Sequence, residues 1–257
     1  MDVVVVIPAY NERAYIEQTV LDWLRVLDKL DGRLIAVDDG SKDSTGVILD
    51  RLAEKETRLL VHHQQNAGHG AAILAGYRMA ITLNPDYIFQ ADSDDQIKPS
   101  EFWRLWERRE QSPFVLGVRQ DRNDAAHRLV VTNILKGLNL LIFGTYIRDA
   151  NAPFRLMSTT FVQAALRQFP RDVFAPNIFL SLVAAKLPIA ILEVPVQHFR
   201  RSTGTESLNM SKLIRVCLRC AKELMQFRLG FFHADCAQEE RLHVDCAQKN
   251  KSPRVGY

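Results

Sequence analysis

The chain of 257 residues is 47% hydrophobic and 25% charged, with 12 Gly and 10 Pro, a globular composition that excludes disordered, collagen-like and coiled-coil architectures. With 33 basic and 30 acidic residues, the net charge of +3 is too small for a nucleic-acid footprint over the whole molecule. Only 4 Cys are present, too few for a disulfide scaffold at this length, which points to a reducing, cytoplasmic compartment.

The N-terminus carries no basic region, and the apolar run Val3 to Ile7 stops at Pro8, so no signal peptide is expected. Later, Leu129 to Ile147 is the most apolar stretch. It is broken by Asn133, Lys136 and Asn139, and no segment is expected to span a bilayer.

In chain order, β-branched runs at Val3 to Ile7, Arg33 to Val37, Leu59 to His63, Tyr87 to Gln90 and Phe114 to Gly117 predict strands. Segments of helical spacing lie between them, at about 13–29, 43–56, 69–82 and 99–110. This alternation predicts an α/β fold, a Rossmann-like, mostly parallel sheet with helices on both faces. In the second half a helix is expected at about 125–142, a strand near Phe154 to Met157, helices at about 159–168 and 176–186, a strand at Ala190 to Pro195 and a helix at about 208–229. No linker composition divides 1–232, which reads as one domain.

The remaining 233–257 reads as a polar tail, repeating His233-Ala-Asp-Cys-Ala-Gln as His243-Val-Asp-Cys-Ala-Gln. The spacing of His233, Cys236, His243 and Cys246 matches no standard zinc finger or ribbon. On the 208–229 helix, Lys212, Arg215, Arg219 and Lys222 share one face opposite Leu213, Val216 and Leu224. Such a face suits either an anionic membrane surface or plain solvent.

In open α/β sheets ligands bind beyond the carboxyl ends of the strands. There the chain places Pro8-Ala9-Tyr10-Asn11-Glu12, Asp38-Asp39-Gly40-Ser41 and Asp92-Ser93-Asp94-Asp95-Gln96. Asp92 and Asp94 are spaced to point the same way from an extended segment, where they can hold a hard divalent cation. Taken alone, such loops also read as Asx-turns and helix caps.

The ordered set carries more than any member. Val6-Ile-Pro-Ala-Tyr-Asn-Glu12, Val37-Asp-Asp-Gly-Ser-Lys-Asp-Ser-Thr45, Asn66-Ala-Gly-His-Gly-Ala71 with Gly76, Gln90-Ala-Asp-Ser-Asp-Asp-Gln96, and Glu193-Val-Pro-Val196 with Arg201-Ser-Thr-Gly204 resemble the motifs of family-2 glycosyltransferases of GT-A fold. Within that family the chain is most similar to the polyprenyl-phosphate hexosyltransferases. The resemblance implies a nucleotide-diphosphate sugar donor, UDP- or GDP-linked, a polyprenyl phosphate acceptor and Mg²⁺ or Mn²⁺. It also implies a place on the cytoplasmic face of a membrane.

The resemblance assigns roles by position. Pro8, Tyr10 and Glu12 border the nucleoside, with Asp38 and Asp39 in the donor site and Asp39 on the base or ribose. Asp92, Asp94 and Gln96 hold the metal and diphosphate, and Arg201 closes over the leaving group. Arg119 and Arg128 receive the acceptor phosphate, and Asp149 lies near the acceptor. The small residues of Asn66 to Ala71 and Gly76 are expected to serve close helix–sheet packing.

One departure bears on the acceptor. Many relatives carry a carboxylate on the helix before the Glu193-Val-Pro-Val196 strand, and Phe174-Ala-Pro-Asn-Ile-Phe-Leu180 has none. A hydroxyl acceptor needs a base to take its proton, whereas a phosphate acceptor does not. A glycosyltransferase acting on a hydroxyl and a non-catalytic nucleotide-binding scaffold remain the alternatives.

Overall fold

Val3–Ala9 (β1) is buried along its whole length, as a strand must be when helices cover both faces of its sheet. Alternation splits its side chains between two cores. Val4 and Val6 pack with Ile73 and Tyr77 on one face, whereas Val3, Val5 and Ile7 pack with Val20, Trp23 and Phe89 on the other.

The computed structural model describes residues 1–94, 96–119, 147, 149–169, 173–186, 191–199, 219, 221–223 and 225. Arg128, Arg201, the expected 125–142 helix, most of the 208–229 helix and the 233–257 tail lie outside the described residues.

After β1 come α1 (Ile16–Leu27), β2 (Gly32–Asp38), α2 (Thr45–Ala53), β3 (Leu59–His63), α3 (His69–Thr82) and β4 (Tyr87–Gln90). A 3₁₀ turn at Pro99–Glu101 then leads into the short helix α4 (Phe102–Trp106). β5 (Phe114–Arg119), β6 (Arg155–Ser158), α5 (Thr159–Arg167), α6 (Pro176–Lys186) and β7 (Leu192–Val196) complete the described elements. The helix expected at 99–110 is thus a short two-part element, with Pro99 at the start where a missing N–H costs nothing.

These strands form one seven-stranded sheet in the order β3-β2-β1-β4-β6-β5-β7. All neighbours are parallel except β6, which runs antiparallel to both β4 and β5. Register aligns the carboxyl ends of the central strands: Ala9 pairs with Asp38, Asp38 with His63, and Val6 with Gln90. From β1 the chain moves outward to β2 and β3, then returns to add β4 on the other side. That reversal opens a crevice between the loops after β1 and β4, the place where such sheets bind ligands.

Candidate functional site

The loop after β1 is fixed by the loop after β2. Asn11 adopts a left-handed φ of 56°, a conformation that Asn tolerates better than most residues. Its side-chain oxygen accepts from Lys42 N at 2.8 Å, and its own N–H donates to Ser41 Oγ at 3.0 Å. Next to it, Glu12 N donates to Thr45 Oγ1 at 2.9 Å and Arg13 N to Asp43 Oδ2 at 3.2 Å. The Asn, Ser, Asp and Thr of these motifs therefore build the rim.

Inside the rim is a cavity of about 420 Å³. Pro8, Ala9, Tyr10 and Glu12 line one side, Asp39, Asn66, Gly68, His69 and Ala72 another, and Asp92, Ser93 and Asp94 the floor. Tyr10 is 42% exposed, so its ring is free to lie against a planar ligand.

Asp39 is buried and held by three donors: Gln64 Nε2 at 2.7 Å and Ala67 N at 2.8 Å to Oδ1, and Gly68 N at 2.8 Å to Oδ2. It thereby ties the Asn66 to Gly68 segment to the end of the sheet. Asp38 turns the other way, because successive residues at a strand end point to opposite faces. Its Oδ1 accepts from Ser41 N at 3.1 Å, and its Oδ2 lies 3.0 Å from His63 Nδ1. The pair expected together in the donor site is thus divided, with Asp39 lining the cavity and Asp38 bracing the loop behind it.

Asp92 and Asp94 line a second, much smaller cleft of about 10 Å³, shared with Gln96, Arg119 and Phe154. The two carboxylates stand between the spaces. Burial pushes the Asp92 carboxyl above its ordinary range, and neighbouring Asp94 adds to this, while His69, Arg119 and Arg155 oppose it. Gln96 enters through its backbone, its N–H donating to Asp94 Oδ1 at 3.2 Å. Among the described residues no three His, Cys, Asp or Glu side chains form a complete metal cage. Arg119 is engaged by Asp149, its Nη2 2.9 Å from Oδ2.

Sequence reasoning passed over several participants. The Asn66 to Ala71 segment does contain packing glycines, since a β-carbon on Gly70 would lie 2.1 Å from Phe174 O. Yet Asn66, Gly68 and His69 line the cavity, and His69 Nε2 is 3.6 Å from Asp92 Oδ1. Their position at the start of a helix, beyond the end of strand β3, was the available signal. Gln90 and Asn177 were also missed. Gln90 Nε2 reaches Asp92 Oδ1 at 3.4 Å, and Asn177 Nδ2 donates to Gln90 Oε1 at 3.1 Å.

With an acidic cavity at the reversal point of an open α/β sheet, the fold and site define a class. The chain belongs to glycosyl transferase family 2, whose profile matches residues 4–174. Within the family it is related to the polyprenyl-phosphate transferases. Undecaprenyl-phosphate 4-deoxy-4-formamido-L-arabinose transferases of Edwardsiella ictaluri and Pectobacterium atrosepticum are 29% and 31% identical to it, over 82% and 84% of this chain. The chain spans 64% and 65% of the length of those two relatives. An uncharacterised protein of Methanocaldococcus jannaschii is 30% identical over 87% of this chain and 98% of its own length.

The fold is that of GT-A glycosyltransferases. Glucosyl-3-phosphoglycerate synthase of Mycobacterium tuberculosis, in complex with Mn²⁺, UDP-glucose and phosphoglyceric acid, matches with a TM-score of 0.63 at 19% identity, covering 88% of this chain and 79% of that one. Its complex with Mg²⁺ and UDP matches with a TM-score of 0.65 at 21% identity, with the same coverage. No helix among the described residues is long and apolar enough to cross a membrane.

Proposed function

We propose that the protein is a divalent-metal-dependent, inverting glycosyltransferase that moves a hexose from a nucleotide-diphosphate sugar to polyprenyl phosphate at the cytoplasmic surface of a membrane. The observation that carries this reading is the placement of Asp92 and Asp94 on the wall of a cavity of about 420 Å³ that Tyr10 and Asp39 also line, with Arg119 close by in a narrow cleft that shares both carboxylates.

Tyr10, Pro8 and Glu12 border the nucleoside, and Asp39 offers its carboxylate to the base or ribose from a backbone-locked position. The N-terminus of α3 lies at the same cavity, and its dipole favours an anionic diphosphate there. Two half-buried carboxylates, one held above its ordinary pKa by burial, make an oxygen donor set short of positive charge, which suits Mg²⁺ or Mn²⁺. Asp92, Asp94 and Gln96 would hold that ion, with substrate oxygens and water completing its shell. When bound, it neutralises charge growing on the leaving nucleotide diphosphate. Arg201 would close over the same group, where bidentate guanidinium contacts serve phosphate well. Arg119 and Arg128 would receive the acceptor phosphate.

A phosphate acceptor is further supported by Asn177. This residue of α6 is buried and hydrogen-bonded to Gln90 and Tyr77, so it offers no base to the cavity. Polyprenyl phosphate is already ionised and needs none. The names of the undecaprenyl-phosphate relatives point the same way, to a lipid acceptor and hence peripheral membrane contact.

The test is a thermal-shift panel of UDP, GDP, dTDP and CDP with and without Mn²⁺, followed by transfer assays on polyprenyl phosphate and on a matched neutral glycolipid. A saturating nucleotide at a hundred times its Kd adds about 2.7 kcal/mol, or roughly 5–10 °C here. A shift for one nucleotide that needs the metal, with labelling of the lipid phosphate, is the expected result. No shift with any nucleotide favours the scaffold alternative, and labelling of the neutral glycolipid alone moves the assignment to a hydroxyl acceptor.

A further inference from the structure

His63, the last residue of β3, stands between two carboxylates. Its Nδ1 lies 3.0 Å from Asp38 Oδ2 at the end of β2, and its Nε2 lies 2.9 Å from Asp50 Oδ1 on α2. An ionised carboxylate only accepts hydrogen bonds, and a neutral imidazole has a single N–H. With acceptors on both ring nitrogens, the two bonds form together only in the imidazolium, and the side chain is 46% exposed. Asp50 and Asp38 are the charged groups facing the ring from the elements packed against it, and their hydrogen bonds, Asp50's foremost, hold its pKa above the ordinary histidine value. The first turn of α2 closes on the pair, since a β-carbon on Gly46 would lie 2.9 Å from Asp38 Oδ2 and 3.3 Å from His63 Cε1.

The clamp adjoins the donor cavity through two neighbouring rungs. Asp38 and His63 form the outer one. Gln64 forms the inner one, its backbone N–H donating to Asp38 O at 3.0 Å and its side chain to Asp39 Oδ1 at 2.7 Å. Asp38 Oδ1 also takes the Ser41 N–H, and Ser41 Oγ takes that of Asn11, so the clamp reaches the loop beside Tyr10.

We propose that His63, as an imidazolium bridging Asp38 and Asp50, is a positioning residue of the donor site, fixing the loop that presents Asp39 to the nucleotide. The proposal rests on the cavity being a nucleotide-diphosphate site. His63 does not line the cavity and acts through Asp38 and Gln64.

A histidine whose folded pKa is raised contributes its clamp fully below the unfolded value and loses it as pH rises through the folded value. Nucleotide affinity should fall over the same window. Above about pH 7 the nucleotide diphosphate is already about nine-tenths ionised, since its secondary ionisation resembles that of a phosphate ester, and the remainder would strengthen binding rather than weaken it.

The test has a part that needs no ligand. An NMR titration of histidine ring nitrogens in the full chain, with the His63 signal identified by its loss in His63→Gln, should give a midpoint above about 6.5, falling in Asp50→Asn. A midpoint at or below the ordinary value overturns the clamp. Calorimetry of UDP and GDP with Mn²⁺ from about pH 7 upward through the midpoint found by NMR is the second part. The wild type should weaken with rising pH, whereas His63→Gln should bind roughly three- to tenfold more weakly at pH 7 and lose that pH dependence. Asp50→Asn, altered at an exposed position, should shift the same profile to lower pH and serves if His63→Gln does not fold. Unchanged affinity and pH profile in both variants overturns the positioning role. Failure of the wild type to bind either nucleotide sinks the donor-site reading and the role with it, while the NMR midpoint still reports whether the clamp exists.

Discussion

Arg119 and Asp149 form a largely buried ion pair in which Nη2 and Nε lie 2.9 and 3.1 Å from the same oxygen, Asp149 Oδ2. Their side chains are 14% and 7% exposed. Removing one charge from a buried pair costs about 3–5 kcal/mol, an upper figure here because Arg119 also faces Asp92 and Asp94. Asp149→Asn is therefore expected to lower the melting temperature by roughly 6–20 °C at about 2–4 °C per kcal/mol. At temperatures where the variant is folded, a guanidinium released from Asp149 should bind the acceptor phosphate better, lowering the lipid-phosphate KM. Arg119→Ala should raise that KM roughly tenfold or more, the scale of a lost charge-assisted contact. Melting curves and initial rates check the pair of variants together, and a KM that ignores both would remove Arg119 from the acceptor site.

Asp92 and Asp94 should separate stability from activity. The folded pKa of Asp92 is raised by burial, so the folded state binds more protons than the unfolded one between the ordinary and raised values. Stability contributed through this group is thus lost as pH rises through that window, and at neutral pH the ionised carboxylate works against folding. Asp92→Asn is expected to raise the melting temperature of the ligand-free protein while transfer falls roughly hundredfold or more. Asp94→Asn should lose activity on the same scale with the fold intact. In both variants Mn²⁺ should no longer add to the stabilisation by nucleotide. Melting curves with and without nucleotide and Mn²⁺ settle the point, and full metal-dependent stabilisation in Asp94→Asn would remove it from the ligand set.

The glycines of α3 give a purely steric expectation. A β-carbon on Gly76 would sit 2.3 Å from Val6 Cγ1, and one on Gly70 would sit 2.1 Å from the Phe174 carbonyl oxygen. Overpacking of this kind costs about 1–3 kcal/mol. Gly76→Ala should therefore melt roughly 2–12 °C lower, with its nucleotide affinity retained in the folded fraction. Gly70→Ala meets backbone rather than a flexible side chain and should lose at least as much. Differential scanning calorimetry would show it.

That packing role was legible from the small residues placed along one predicted helix, which let a helix approach a sheet closely. The central strands were equally legible, since unbroken β-branched runs such as Val3 to Ile7 suit a strand buried on both faces. The reversed direction of β6 was not. Nothing in Arg155 to Ser158 states which way the strand runs, because direction depends on the connection through residues far from the strand itself. Asp38 and His63 show the same limit within the site. They lie side by side because β2 and β3 pair in a register that matches Asp38 with His63, and register across separate strands is written in no local pattern. Adjacent Asp38 and Asp39 looked like a pair, and alternation at a strand end divided them.

Asn177 carries the last expectation, and its direction discriminates between acceptor classes. Tyr77 OH faces Asn177 Oδ1 at 3.5 Å, Asn177 Nδ2 donates to Gln90 Oε1 at 3.1 Å, and Gln90 Nε2 faces Asp92 Oδ1 at 3.4 Å. Every hydrogen in this buried chain points toward Asp92. Asn177→Asp replaces the donor to Gln90 with an acceptor, which leaves either Gln90 Oε1 unsatisfied or, after an amide flip, turns Gln90 Nε2 away from Asp92. Leaving a buried polar group unmet costs about 1–3 kcal/mol. The variant should therefore be less stable and transfer to lipid phosphate more slowly, by roughly tenfold where the loss falls on Asp92 orientation. It should also gain no transfer to a hydroxyl acceptor, although it places a carboxylate on α6. Rates on polyprenyl phosphate and on a neutral glycolipid measure both outcomes. New activity on the glycolipid would mean that α6 does face the acceptor, and it would return the hydroxyl reading to first place.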